Sequence, residues 1–199
     1  MQQKTITLYN FDELSEHVQE TVLENLYSLN IDHEWWDCTF QDAKEMGLLL
    51  GIEVDDIFFS GFSSQGDGAC FEGSYAYAKG CAKEIRKYAP QDETLHDLAD
   101  RLVALQKPFF YCLTARVSHS GNYYHELSTD INIYAEMNTG REFFVSEATE
   151  NELNDILRGF MSWLYRQLEK DHDYRTSPEA IKECIEANEY QFRENGDIE

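Results

Sequence analysis

Two stretches that alternate apolar and polar residues around a short polar turn constrain the fold of this chain most strongly. The clearer one is FFYCLTARVS followed by YYHELSTDINIY, joined through Ser120, Gly121 and Asn122. Because successive side chains of a strand point to opposite faces, this pattern predicts an antiparallel hairpin with one apolar and one polar face. The predicted apolar pairs are Val117 with His125, Ala115 with Leu127, Leu113 with Thr129, Tyr111 with Ile131 and Phe109 with Ile133. The predicted polar pairs are Arg116 with Glu126, Thr114 with Ser128 and Cys112 with Asp130.

The second stretch, FFSGFSSQGDGACFEGSY from Phe58 to Tyr75, predicts another hairpin. Placing Phe59 opposite Phe71 sets Ile57 opposite Gly73 and Gly61 opposite Ala69 on an apolar face, with Phe58 opposite Glu72 and Ser60 opposite Cys70 on the other. This register leaves SSQGD, from Ser63 to Asp67, as a five-residue loop, which is a permitted hairpin length.

Helical periodicity surrounds the two hairpins. A short strand is expected over Lys4–Tyr9, and helices are expected over Asp12–Ser28, Asp32–Leu50, Gly80–Tyr88 and Asp92–Gln106, then from Ser146 or Thr149, and from Ser177 to about Asn188. The residues from about 190 are expected to fray. Adjacent hairpins with helices between and after them predict an α+β fold, a single domain over residues 1–199 whose helices pack on the apolar face of an antiparallel sheet.

Several classes of protein are disfavoured by composition. The apolar runs are far shorter than the roughly 20 residues that cross a bilayer, and MQQKTITLYNFDE does not resemble a secretory leader. The five cysteines are scattered without a CxxC pair, which favours free thiols. We therefore expect a protein of the bacterial cytoplasm, with no membrane partner.

The net charge of −22 is the strongest global feature. It disfavours direct binding of nucleic acid and favours a basic or nucleic-acid-binding protein partner. The acids Glu13, Glu16, Glu20 and Glu24 of the first helix, with Asp55 and Asp56, have two interpretations. They could be a solvated surface, or an acidic surface that imitates a phosphate array and occupies the basic channel of a partner.

The hairpin loops supply the remaining candidate residues, Ser63, Ser64, Gln65, Asp67, His119 and His125. The glycine-rich stretch has no following lysine and leads into a strand, so no nucleotide or other cofactor is predicted there. His119 and His125 could share a metal, or could be hydrogen-bonded residues at the end of a sheet. An enzyme or small-ligand site therefore needs the two loops to meet.

The stretches DDIFFSGFSSQGDGACFEGSY, YAPQD, VSHSGNYYHE and WLYRQLEKDHDYRTSPEAIKECIEANEYQF together resemble a family of small phage and mobile-element proteins. Some members of that family are labelled as the antitoxin of a toxin–antitoxin stability system. The resemblance implies a mobile-element origin and a protein that binds and inhibits a partner, including a host defence nuclease. It implies no catalytic residues.

Three functions remain open from the sequence. The leading expectation is a non-enzymatic inhibitor of a protein partner, either an antitoxin or a counter-defence factor. The alternatives are an enzyme or small-ligand binder that uses the two hairpin loops, and an accessory structural phage protein. The sequence leaves the oligomeric state open.

Overall fold

The computed structural model describes residues 6–137, 140 and 142–199. Its described residues form six α-helices and four strands, which confirms the α+β class. The order is α1 (Glu16–Asn25), α2 (Asp37–Leu50), β1 (Ile52–Phe59), β2 (Ala69–Ala76), α3 (Cys81–Tyr88), α4 (Glu93–Gln106), β3 (Leu113–His119), β4 (Thr129–Ala135), α5 (Glu147–Arg175) and α6 (Pro178–Ala187).

The sheet is antiparallel throughout, in the order β1-β2-β3-β4. Its apolar face is confirmed at Phe71, Tyr75, Leu113 and Val117, which are buried. The prediction was wrong at Phe109, Tyr111 and Leu127, which lie outside the strands because β3 begins only at Leu113 and β4 only at Thr129. The other face carries polar side chains, and Arg116 on this face is exposed. The two predicted hairpins are therefore present and adjacent.

The register of the first hairpin differs from the prediction by two residues. Phe59 pairs with Ala69, and Ile57 pairs with Phe71. A bulge between Val54 and Asp56 also interrupts the ladder. The strand begins at Ile52, immediately after Gly51, so the pairing extends further from the turn than predicted, and the connecting loop is residues 60–68.

The register of the second hairpin differs by six residues. Val117 pairs with Ile131 rather than with His125, and Arg116 pairs with Asn132 rather than with Glu126. The loop therefore spans residues 120–128, and His125 lies in it instead of in a strand. Both errors are even numbers of residues, so the residues that do lie in the strands keep their predicted faces.

Most helix starts and stops follow the local sequence. Asp92 accepts a hydrogen bond from the Leu95 N–H at 3.0 Å and begins α4, and Ser177 accepts one from the Ala180 N–H at 3.2 Å and begins α6. Ser146, rather than Thr149, begins α5, and its hydroxyl accepts from the Thr149 N–H at 3.3 Å. These side chains satisfy amides that the first helical turn leaves free.

The first predicted helix is interrupted. Residues Phe11–Glu13 form a 3-10 turn, and Leu14 and Ser15 are extended before α1 begins at Glu16. The next helix, α2, begins at Asp37 rather than near Asp32. Of the expected strand over Lys4–Tyr9, the first two residues lie outside the described part, and Tyr9 forms an isolated bridge with Phe192.

Two compact units make up the chain, and the single domain expected from the sequence stays a prediction. The terminal unit contains Met1–Asp37 and Lys170–Glu199, and the sheet unit contains Cys38–Glu169. In the terminal unit the residues beyond 190, expected to fray, fold back instead. Phe192 is buried, exchanges two backbone hydrogen bonds with Tyr9 at 2.8 and 2.9 Å, and packs with Phe11, Val22 and Ile185.

Candidate functional site

The two hairpin loops of the sheet unit are in direct contact. A Cβ atom at Gly68 would lie 2.9 Å from Cδ2 of His125 and 3.2 Å from the carbonyl oxygen of Tyr124. Only a residue without a side chain permits such close approach. The structure therefore places the end of the first loop, at Gly68, against His125 and Tyr124 of the second loop.

The first loop is ordered by one carboxylate. Oδ2 of Asp67 accepts hydrogen bonds from the backbone N–H groups of Ser63 at 3.0 Å and Ser64 at 2.7 Å. The hydroxyl of Tyr165, on α5, donates to the Gly61 carbonyl at 3.0 Å, and the Phe62 ring stacks on the Tyr165 ring at 5.4 Å. Asp67 thus has a structural role, and the loop is tied to a long helix.

The second loop is held by a stack of rings. The Phe58 ring lies 5.2 Å from the His119 ring and 5.5 Å from the Tyr124 ring, with nearly parallel planes. Glu72 accepts a hydrogen bond from the backbone N–H of His119 at 3.1 Å. Side chains of the first hairpin therefore position the start of the second loop, at His119, and its middle, at Tyr124.

The two histidines engage different partners. A ring nitrogen of His119, Nε2, lies 3.0 Å from the Tyr123 carbonyl oxygen. Nδ1 of His125 lies 3.2 Å from the Leu127 N–H nitrogen and 3.1 Å from a Glu126 carboxylate oxygen. Within residues 6–137, 140 and 142–199 no three His, Cys, Asp or Glu side chains are placed to hold a metal ion.

The buried thiol of Cys70, on β2 two residues after Gly68, has a raised pKa. Burial, together with the nearby charges of Glu72 and Glu126, raises the pKa of the Cys70 thiol to about 11. A thiol with so high a pKa remains protonated at neutral pH and is a poor nucleophile. Cys70 is therefore unsuited to nucleophilic catalysis.

The outer side of the two loops forms what we call the loop surface, which consists of Ser63, Ser64, Gln65, Tyr123, Tyr124, His125 and Leu127. Tyr123 is 72% exposed and Leu127 is 67% exposed, so the loop surface presents two large side chains to solvent. Tyrosine offers large contact area with few rotatable bonds, and serine and glutamine offer adaptable hydrogen bonds. This composition suits recognition of a protein surface.

The acids from the sequence analysis lie elsewhere. Asp55 and Asp56 are on the edge strand β1, where the Asp55 carboxylate pairs with Arg116 at 3.1 Å. Glu13 accepts a hydrogen bond from the Asn10 N–H at 2.7 Å, so its role is to cap the 3-10 turn. The remaining three, Glu16, Glu20 and Glu24, are exposed on α1 of the terminal unit.

Sequence reasoning missed three residues whose contacts hold the second loop: Phe58, Glu72 and Tyr124. Phe58 was predicted to pair with Glu72 across the strands, and Tyr124 was predicted to lie within a strand. One signal in the sequence could have identified the contact: Phe58 is an aromatic residue on the otherwise polar face of the sheet, and the turn of the other hairpin contains histidines.

The sheet unit defines a class of α+β protein in which a four-stranded antiparallel meander carries two contacting hairpin loops. The family model described as Domain of unknown function (DUF8835) matches residues 35–178, and the chain belongs to that family. The match contains all of the sheet unit, whereas α1 and nearly all of α6 lie outside it. No curated protein and no solved structure matches the chain significantly.

Among the described residues, no helix is both long enough and apolar enough to span a lipid bilayer.

Proposed function

We propose that this chain is a non-enzymatic binding protein whose loop surface binds a basic region of a partner protein. The observation that carries the proposal is the packing of His125 against Gly68, because it brings the two loops into direct contact. Loops held on a rigid scaffold are a common place for binding residues. Exposed Tyr123 supplies a side chain of the kind that anchors protein interfaces.

Charge favours a basic partner. Glu126 lies in the second loop, Glu72 lies beneath it, and Asp130 follows on β4 and is exposed. Complementary charge accelerates association and excludes acidic partners. The same field opposes direct binding to the phosphate backbone of a nucleic acid.

The biological role we propose is inhibition of that partner in the bacterial cytoplasm, as an antitoxin or a counter-defence factor would act. An acidic surface can occupy the basic channel of a protein that handles nucleic acid. The net charge of −22 and the resemblance to small mobile-element proteins support this role.

Capture from a bacterial lysate at low and at high salt tests the proposal. Tagged wild-type protein is expected to recover a basic protein at low salt and to release it at high salt. Replacement of Tyr123 by Ala is expected to abolish recovery. Replacement of Tyr88 by Ala, which removes another exposed tyrosine from α3, is the matched control and should not affect recovery.

Two outcomes would refute the proposal. Wild-type protein could recover no basic partner at low salt, or the Tyr123 and Tyr88 variants could recover the partner equally well. If a recovered partner is a nuclease, addition of the chain should also lower its activity in proportion to the amount bound.

A further inference from the structure

A groove lies between α1 and α6 in the terminal unit. Leu23 on α1 and Tyr27 in the turn that follows α1 line one side, and Pro178 and Ile181 of α6 line the other, around a cavity of about 500 Å³. Tyr27 is 50% exposed, so the groove presents apolar surface to solvent. A volume of this size lies in the range of ordinary ligand sites.

Two carboxylates border this groove. Glu20 and Glu24 line it, are exposed, and lie one helical turn apart. Glu16 extends the row by a further turn. Like charges four residues apart oppose helix formation, so helix stability does not account for the row.

No positive charge of the described chain neutralises these three acids. In the terminal unit Arg175 pairs with Asp171 and Lys182 pairs with Asp12, each at 2.9 Å, and Arg193 pairs with Glu199. Within the described residues Glu16, Glu20 and Glu24 make no ion pair or side-chain hydrogen bond. The sequence of this unit holds 17 acids and five Lys or Arg, a net charge of −12.

We infer that the groove binds an amphipathic helix of a partner protein that has an apolar stripe bordered by Lys or Arg residues. An apolar stripe fits between α1 and α6, as in other helix-in-groove complexes. Cations one turn apart on the partner helix then face Glu20 and Glu24. This site shares no residue with the loop surface, so the two proposals can fail separately.

A synthetic peptide tests this inference. The probe is an Ala, Leu and Lys peptide of about 15 residues, long enough to form a helix on binding. Its leucines follow helical spacing, and lysines border them. Its affinity for the full chain would be measured by fluorescence anisotropy at physiological salt. Replacement of Glu20 and Glu24 by Gln together is expected to weaken binding roughly tenfold, since both charge pairs are lost.

The matched control replaces Glu183 and Glu194 by Gln, which removes the same charge from exposed positions of the same unit. It is expected to change the affinity less than about twofold. A second control peptide has the same composition with its leucines dispersed around the helix, and it should bind more weakly. Replacement of Tyr27 by Ser should weaken binding of the striped peptide only.

Each of four results would overturn the inference. The striped peptide could fail to bind, or the two double variants could weaken binding equally. The dispersed peptide could bind as tightly as the striped one. Finally, sedimentation could show a dimer that the Tyr27→Ser variant disrupts, which would assign the groove to a second copy of the chain.

Discussion

The backbone of Gly68 lies against the ring of His125, and a Cβ atom at position 68 would come within 2.9 Å of that ring. Replacement of Gly68 by Ala should therefore separate the two loops. We expect a loss of about 1–3 kcal/mol of unfolding free energy, the usual cost of forcing atoms into a packed site. Urea denaturation measures this loss.

Gly61 provides the control for this prediction. A Cβ atom there would lie 3.5 Å from Oδ2 of Asp67, which is an ordinary contact. Replacement of Gly61 by Ala should leave both stability and the amide NMR signals of residues 120–128 nearly unchanged. Equal effects of the two substitutions would show that the contact between the loops is not important.

The carboxylate of Asp67 orders the first loop, so its removal should disorder residues 60–68. Replacement of Asp67 by Ala frees the N–H groups of Ser63 and Ser64. We expect a loss of about 1 kcal/mol, because the bonds are charge-assisted but exposed to water. Hydrogen exchange of the two serine amides should accelerate. Gln65→Ala, in the same loop, should leave that exchange rate unchanged, and a similar acceleration there would contradict the assigned role.

The faces of the sheet could be predicted from the sequence, whereas the registers could not. Side-chain alternation specifies the face, and slips of two or six residues preserve it. Register depends on the turn, and both loops are longer than the minimal turns that the glycines suggested. Asp67 orders the first loop through backbone contacts, and Phe58 and Tyr124 hold the second through packing across strands. Neither kind of contact leaves a periodic pattern in the sequence.

The candidate site was predictable only in part. Ser63, Gln65, Asp67 and His125 were identified because loop residues of those types stand out, but the contact between the two loops at Gly68 and His125 required the fold. The interruption of the first helix at Leu14 was not predictable from periodicity, since Phe11 and Leu14 are buried as a helical stripe would require.

The buried side-chain amide of Gln106 forms hydrogen bonds with polar groups that are themselves buried. Its Nε2 donates to the Tyr75 hydroxyl at 3.0 Å and to the Leu113 carbonyl at 2.7 Å, and its Oε1 accepts from the Leu113 N–H at 3.1 Å. Replacement of Gln106 by Leu leaves these buried groups unsatisfied, so we expect a loss of about 3 kcal/mol or more. Denaturant unfolding of the purified variant measures it.

Tyr75→Phe is the companion variant. It removes the hydroxyl partner but keeps both hydrogen bonds between Gln106 and Leu113, so it should cost only about 1 kcal/mol. A Tyr75 variant as unstable as the Gln106 variant would place the stabilising interaction in the ring hydroxyl instead of the backbone of Leu113.

The Cys70 thiol should make the folded protein less stable as the pH rises into the alkaline range. Burial raises its pKa from 9.0 to about 11, so the unfolded chain releases this proton at a lower pH than the folded chain. The contribution of the protonated thiol to the free energy of unfolding is therefore complete below about pH 9 and is lost as the pH rises toward 11. Thermal unfolding temperatures across that range should fall less steeply for Cys70→Ala than for the wild type.

The exposed Cys38 provides the control, because Cys38→Ala should retain the wild-type slope. Equal slopes for all three proteins would contradict the role of Cys70.

The buried ring of Phe192 should stabilise the terminal unit even though it lies only seven residues from the end of the sequence given. It contacts the Phe11 ring edge-on at 6.3 Å, and its backbone pairs with Tyr9. Replacement of Phe192 by Ala should cost about 3–5 kcal/mol, as for other buried aromatic residues. Hydrogen exchange in α1 and α6 should accelerate. Gln191→Ala, at the exposed neighbouring position, should not change this exchange, and slow exchange in the Phe192 variant would show instead that the last residues do fray.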